Sequence, residues 1–301
     1  MIKNKPLTFI ITVYIVSALY SLIYLKIPYS TFSIKSIMVT SFYMFIPLIC
    51  SIFLSKFVYK ENILVNINFN FKWSNWYLLA ILIPVALAYL SFLIALILPD
   101  VKLDPEMSGI MNKFAKIMEP QQFEKAKQQS EQMKQMFKTD YYYLIIGFIN
   151  AVIYGATINA VFGFGEEAGW RGFLLNSLKD KGFYKASLII GIVWGIWHLP
   201  VVIQGHNYGK YRIIGVVMMT LWTVLLSPLF TYVVYKTGSI ISASVFHGVL
   251  NATPGIALAY LKGGNELTVG ITGLAGMISL LILNIIVFIY DKYFDSQKVI
   301  N

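Results

Sequence analysis

Two adjacent glutamates and two histidines stand inside apolar stretches of this chain, in the series Glu166-Glu167-x-x-x-Arg171, His198 and His247-x-x-x-Asn251. An ionisable group placed in hydrocarbon costs at least ~2.5–3.5 kcal/mol, so each of these residues asks for a functional reason. Carboxylates, imidazoles and an amide together are the inventory of a hydrolase: some can activate water and others can hold a developing oxyanion. Glu167 and Arg171 are four residues apart, so on a helix they can pair, neutralising one carboxylate and leaving Glu166 to act alone. His247 and Asn251 share that spacing, which aims two donors at one oxygen. Gly163 and Gly165 permit either a bent helix or close approach of a neighbour, and Gly191-x-x-x-Gly195 offers a small face beside His198.

The elements that must position these groups are membrane helices. The chain is 57% hydrophobic and 13% charged, whereas a soluble domain carries roughly 25% charged residues. The net charge of +10 is spread through short connections, so it is no nucleic-acid footprint. Cys50 is the single cysteine, which excludes an internal disulfide and a cysteine-based zinc cluster. About eight stretches approach the roughly 20 residues needed to cross a ~30 Å hydrocarbon core. They lie near 7–25, 37–58, 76–98, 141–163, 186–204, 213–235, 239–261 and 268–290. The expected fold is thus all-α, a polytopic integral membrane protein of about eight transmembrane helices. The first stretch exceeds the apolar run of a signal peptide and lacks a clear cleavage site, so it reads as an uncleaved helix.

Lysine and arginine in short loops set the orientation. One side collects Lys3, Lys5, Lys56, Lys60, Lys72, Lys179, Lys181, Lys185, Lys236, Lys292 and Lys298, and the other only Lys26, Lys35, Lys210, Arg212 and Lys262. Both termini are therefore expected in the cytoplasm. The chain divides into an N-terminal transmembrane region (1–98), a polar connector (99–140), a core (141–261) and a last helix with a short tail (262–301). In the connector, Ile110, Met111, Phe114, Ile117 and Met118 recur at helical spacing. Pro120 interrupts, then Phe123, Met133, Met136 and Phe137 resume, which predicts two amphipathic helices on the outer surface.

Depth supports a single site. Glu166 lies about 12 residues, or ~18 Å, from the inner end of its helix, His198 about 13 residues or ~20 Å, and His247 nine residues or ~14 Å. Each residue also has a plainer explanation. Arg171 alone could snorkel to an interface, His198 could be a hydrogen-bonded interior histidine, and His206 in its loop reads as solvated. The double glutamate resists such treatment, because two adjacent carboxylates cannot both stay ionised cheaply in low dielectric.

Glu166-Glu167-Ala168-Gly169-Trp170-Arg171-Gly172, Trp194-Gly195-Ile196-Trp197-His198-Leu199-Pro200 and His247-Gly248-Val249-Leu250-Asn251 resemble the three ordered motifs of the CAAX-protease and bacteriocin-processing (Abi, Rce1-like) intramembrane proteases. The resemblance covers about 141–261. It departs at Trp194, where the family commonly has Phe, a change between large aromatics that bears on local packing. It implies an eight-helix fold, peptide-bond hydrolysis within the membrane and a cavity open to the cytoplasmic side. Glu166 with His198 would polarise the attacking water, and His247 with Asn251 would stabilise the oxyanion. Glu167, Arg171 and Trp194 would support them. Glu166, His198 and His247 could also form a His₂Glu zinc set. The lack of an H-E-x-x-H and the sharing of two interior histidines favour metal-free water activation. Partners would be the lipid bilayer and a membrane-associated peptide or protein: a prenylated CAAX tail, a pheromone or bacteriocin leader, or a transmembrane regulator. A catalytically silent membrane scaffold or bacteriocin-immunity protein, and a transporter with an intramembrane proton relay, are the rival readings.

Overall fold

A computed structural model of the chain describes residues 4–24, 26, 34–71 and 73–300. Lys3 and Lys72, counted above for orientation, and Leu25, the end of the first expected span, lie outside the described residues. The protein is all-α apart from one two-stranded pairing. It is a multi-pass membrane protein, with seven helices long and apolar enough to cross a bilayer among the described residues. In chain order the elements are α1 (Lys5–Tyr24), α2 (Ile37–Tyr59), α3 (Tyr77–Ala95), β1 (Val101–Leu103), α4 (Ser108–Ile117), α5 (Pro120–Phe137) and α6 (Tyr142–Ser177). They continue with α7 (Phe183–Trp197), α8 (Leu199–Ile203), α9 (Arg212–Thr237), α10 (Ile240–Leu258), β2 (Leu261–Gly263) and α11 (Leu274–Tyr293).

The count of seven corrects the expected eight. The apolar stretch 186–204 does not run through: α7 has 15 residues, about 22 Å of helix at ~1.5 Å per residue and too short for a ~30 Å core. It stops because Pro200 brings no N–H to the ladder. The His198 backbone N–H shifts to the Gly195 carbonyl at 3.1 Å. The Trp194 carbonyl, orphaned by that shift, is taken by Nδ1 of the His198 ring at 2.8 Å. Conversely, the expected span 141–163 is the first part of a much longer helix, the 36-residue α6. Two π-helical stretches, Ala151–Asn159 and Ala168–Leu174, interrupt its regular ladder.

Two faces of the bundle can be told apart by their contacts. On one, Lys5 pairs with Glu61, the Asn70 amide donates to the Gly238 carbonyl at 2.8 Å, and buried Lys236 ties the end of α9 to Asp291 in the last turn of α11 and to Asp295 just beyond it. This is the lysine-rich face, from which α1 departs and to which α11 returns. On the other, β1 and β2 pair antiparallel, the Tyr260 hydroxyl donates to the Asp140 carbonyl at 2.7 Å, and Tyr208 donates to Thr272 O at 3.0 Å. The two expected connector helices are present here as α4 and α5. The first is docked, since Asp104 accepts from Ser108 Oγ and Gly109 N while its own N–H reaches Tyr260 O. Every residue of α5 is at least partly exposed.

Small residues let the site-bearing helices close on each other. A Cβ on Gly248 would strike Gly155 and Ala160 backbone of α6, and one on Gly163 would stand 2.9 Å from His247 Cβ. The glycines ahead of the glutamates thus serve close approach, and Gly191 and Gly195 do the same for α7 against Val224 and Thr220 of α9. Gly248→Ala is expected to cost ~1–3 kcal/mol through forced separation of the two helices. At Gly182, open to solvent but at a φ of +76°, alanine should cost only about 1 kcal/mol. Thermal unfolding in detergent would separate the two, and equal losses would show that α6–α10 contact is not tight.

Candidate active site

The expected residues converge. Glu166 and Glu167 come from α6, His198 from the end of α7, and His247 and Asn251 from α10. Glu166, His198, His247 and Asn251 all line one cavity of about 570 Å³. Glu166, Glu167, Arg171, His198 and His247 are all buried, whereas Asn251 is exposed to that space.

Glu167 is the centre of the polar set. Its carboxylate accepts from Arg171 Nη1 at 3.1 and 3.2 Å, the pair expected from the spacing. It also takes Nδ1 of His247 at 2.8 Å. This revises the expectation that Arg171 alone neutralises Glu167 and that Glu166 stands by itself, because His247 faces both glutamates, with Nε2 4.0 Å from Glu166 Oε1. A histidine whose Nδ1–H is held by a carboxylate has its ring orientation fixed and presents only Nε2 to the cavity. For His198 the carbonyl of Trp194 can only accept, so Nδ1 carries the proton and a neutral ring keeps the Nε2 lone pair free.

Arg171 has further support. Nη2 donates to Ser227 Oγ at 3.3 Å, and the guanidinium lies against the rings of both Trp194 and Phe230, 4.4 and 4.3 Å from their centroids. Such stacking offsets part of the lost hydration of a buried cation.

Trp194 does more than pack. Its indole N–H donates to Glu166 Oε2 at 2.7 Å, and its ring sits 5.5 Å from His198 and 5.7 Å from His247. The substitution of Trp for the commonly found Phe, read from sequence as a packing change, supplies a hydrogen bond that phenylalanine cannot make. The indole of tryptophan is a donor without an acceptor, and that signal was available in the residue type. Tyr43, Thr40 and Met44 of α2 were missed altogether, though they line the cavity. His206, expected to be solvated, lines its outer part and is half-buried.

Glu166, His198 and His247 do not come together as a metal-holding group among the described residues. One nitrogen of each ring is already committed, His247 to Glu167 and His198 to a backbone carbonyl. Both bonds are made by Nδ1, which leaves Nε2 of each ring toward the cavity.

The cavity opens on the connector face. It extends from Glu166 past His206 to Lys113 and Glu266, residues of the connector face. That face is opposite the one on which Lys5, Lys236 and the end of the last helix lie.

Arg171→Met should lower stability more than the combined Glu167→Gln and Arg171→Met change, because removing one partner of a buried pair typically costs ~3–5 kcal/mol. A double-mutant cycle on thermal unfolding in detergent would reveal the coupling. Strictly additive losses would mean that the pair carries no interaction energy.

Residues 148–253 match the family model for type II CAAX prenyl endopeptidase, Rce1-like. Over 96 residues the chain is 32% identical to CAAX prenyl protease 2 of Methanococcus maripaludis, an alignment covering 29% of this chain and 34% of that protein. The chain therefore spans about a third of the length of the curated relative it matches. The matched segment holds both glutamates, Arg171, Trp194, His198, His247 and Asn251, so every residue of the candidate site lies within the stretch that is similar to that family.

Proposed function

We propose that this protein is an intramembrane endopeptidase that hydrolyses a peptide bond of a membrane-associated protein or peptide, with both termini in the cytoplasm. The observation that carries the reading is the placement of Glu166 Oε1 beside His247 Nε2, 4.0 Å apart at the floor of a cavity that His198 and Asn251 also line. Two polar atoms ~4 Å apart can share one water at ordinary ~2.8 Å hydrogen-bond lengths.

Glu166 is the general base. With Oε2 held by the Trp194 indole, Oε1 is left to take one proton from water, while Nε2 of neutral His198 accepts a hydrogen bond from the O–H that the hydroxide keeps. The hydroxide oxygen bonds to the carbonyl carbon, and the carbonyl π electrons move onto oxygen. Asn251 Nδ2–H and, with the ring doubly protonated, His247 Nε2–H then stabilise that oxyanion. Collapse re-forms the carbonyl and breaks the C–N bond, and the proton held by Glu166 passes to the departing nitrogen. An imidazolium at His247 also balances the site: two carboxylates, Glu166 and Glu167, face two cations, His247 and Arg171. That balance meets the demand that buried charges be paired.

The scaffold and transporter readings find less support. A silent scaffold has no use for a carboxylate whose one oxygen is fixed and whose other is left facing an imidazole. A relay across the membrane needs polar groups on both sides of Glu166, whereas residues 168–175 toward the lysine-rich face are all buried and, Arg171 aside, uncharged.

General-base assistance contributes typically ~10²–10⁴-fold, so Glu166→Gln and His198→Ala should nearly abolish turnover by folded protein. Asn251→Ala should lower turnover by ~10²–10³-fold with little change in substrate binding. Trp194→Phe should keep the fold and lower turnover, shifting its pH profile, because only the hydrogen bond to Glu166 is removed. Comparing the membrane peptides produced by wild type and Glu166→Gln would identify a substrate. The purified variants could then be assayed on it, and near-normal cleavage by Glu166→Gln would sink the assignment.

A further inference from the structure

Ending α7 at Trp197 leaves more than the Trp194 carbonyl to be met, because the last carbonyls of any helix lose their N–H partners and must find others. A continued helix would bring the Val201 N–H to the Trp197 carbonyl. That N–H goes to the His198 carbonyl instead, at 3.1 Å. The Trp197 carbonyl is taken by the hydroxyl of Tyr43, which donates to it at 2.8 Å from α2, 154 residues away in the chain. The Tyr43 ring is buried and stacks on the Trp197 indole, with centroids 4.3 Å apart and planes inclined by 22°.

This carbonyl belongs to the peptide unit that joins Trp197 to His198. Tyr43 therefore fixes the plane from which the His198 side chain departs, while the Trp194 carbonyl fixes the ring itself through Nδ1 at 2.8 Å. Held at both its root and its ring, the imidazole faces a cavity that Tyr43 and Glu166 also line. The same helix reaches the turn that carries Glu166. A Cβ on Gly165, one residue before it, would stand 2.8 Å from the Met44 carbonyl, and one on Gly169, three residues after it, 2.4 Å from Pro47 Cβ. Thus α2 is seated against the turn bearing one half of the water-activating pair and bonded to the peptide bearing the other.

We propose that Tyr43 is a positioning residue for His198, setting the depth and direction of the imidazole relative to Glu166 through one hydrogen bond and one stacked ring. The proposal rests on the protease reading for its effect on turnover and on the Tyr43–Trp197 geometry for the positioning itself. It makes α2 part of the working site, although α2 lies outside the 148–253 stretch that is similar to the prenyl endopeptidase family. A misplacement of about 1 Å can cost on the order of 10²-fold in rate, so the hydroxyl matters even where the ring stays. Tyr14 supplies a matched control. Its hydroxyl also ties the N-terminal region to a carbonyl of α7, Val193 O at 2.9 Å, but inside the regular part of that helix.

On a substrate that separates wild type from Glu166→Gln, purified Tyr43→Phe should lower kcat by ~10–100-fold with KM near the wild-type value. Tyr14→Phe should leave both unchanged. Placing p-aminophenylalanine at position 43 restores a donor on the same ring and should recover most of the turnover. Equal kcat in the two phenylalanine variants would overturn the proposal. So would a folded amino variant that turns over no better than ~10% of wild type, a comparison that still decides the matter if Tyr43→Phe does not fold. NMR of the ring nitrogens in histidine-labelled protein, with His198 assigned by its loss in His198→Ala, should show His198 shifted by Tyr43→Phe and unmoved by Tyr14→Phe. An unmoved His198 in folded Tyr43→Phe would overturn the proposal as well. If Glu166→Gln changed no peptide, the protease reading would fail, while the NMR comparison, which needs no turnover, would still decide whether Tyr43 holds His198.

Discussion

Closing a set of charges inside a low-dielectric bundle is the constraint on which the rest of the structure depends. A buried ion costs several kcal/mol of lost hydration, recovered only when geometry and hydrogen bonds are both good. Glu167 meets that condition by binding Arg171 within α6 and His247 on α10. Arg171 extends it by lying against Trp194 of α7 and Phe230 of α9. Four helices therefore meet at one ion pair, and the helix contacts around it are subordinate to holding it. Glycine at 163, 191, 195 and 248 is what brings those helices near enough, since a single methyl at any of them would meet an atom of the neighbouring helix at 2.9 Å or less.

Much of this was legible in the sequence, for reasons that differ by residue. The Glu167–Arg171 pair was readable because helical spacing is a local rule, and the shared depth of Glu166, His198 and His247 because rise per residue is nearly constant. The double role of Glu167 was not, since the partner His247 lies 80 residues away and nothing local says which of two adjacent carboxylates it will face. The eighth span failed for a related reason. Hydropathy sums over a window and is blind to one ring nitrogen capping a carbonyl, whereas Pro200 was in plain view as a signal for a stop. The β1–β2 pairing was hidden by its length of three residues a strand. The direction of the cavity was beyond sequence altogether, because it depends on which end of the bundle is filled by Phe9, Trp170 and Phe173.

Trp194 illustrates how a change that is conservative in volume can be decisive in chemistry. Phenylalanine and tryptophan both fill the space between Arg171 and the two histidines, but the indole adds one donor where a buried carboxylate has an unmet acceptor. Leaving that oxygen unpaired would cost about 1–3 kcal/mol or more for a charged group. With Oε2 held, Oε1 is the oxygen left facing His247. One interaction thus fixes the carboxylate and decides which of its oxygens faces the imidazole.

The break after α7 ties the fold to its use. A helix that stayed regular from Phe183 through Gln204 would carry its backbone straight through the depth at which the cavity now begins, and would turn His198 with it. Ending at Trp197 frees the Trp194 carbonyl, and that carbonyl fixes the His198 ring. The same ending lets the chain turn into α8 and the 204–211 segment, where Val201, His206 and Asn207 become cavity wall. One proline-linked interruption therefore fixes the His198 ring and opens the cavity beside it, at the cost of a helix too short to span the membrane alone. Antiparallel contact with α9, sealed by Gly191 and Gly195 and by the Thr223 hydroxyl on the Gly191 carbonyl at 2.8 Å, holds that short helix at the depth the site requires.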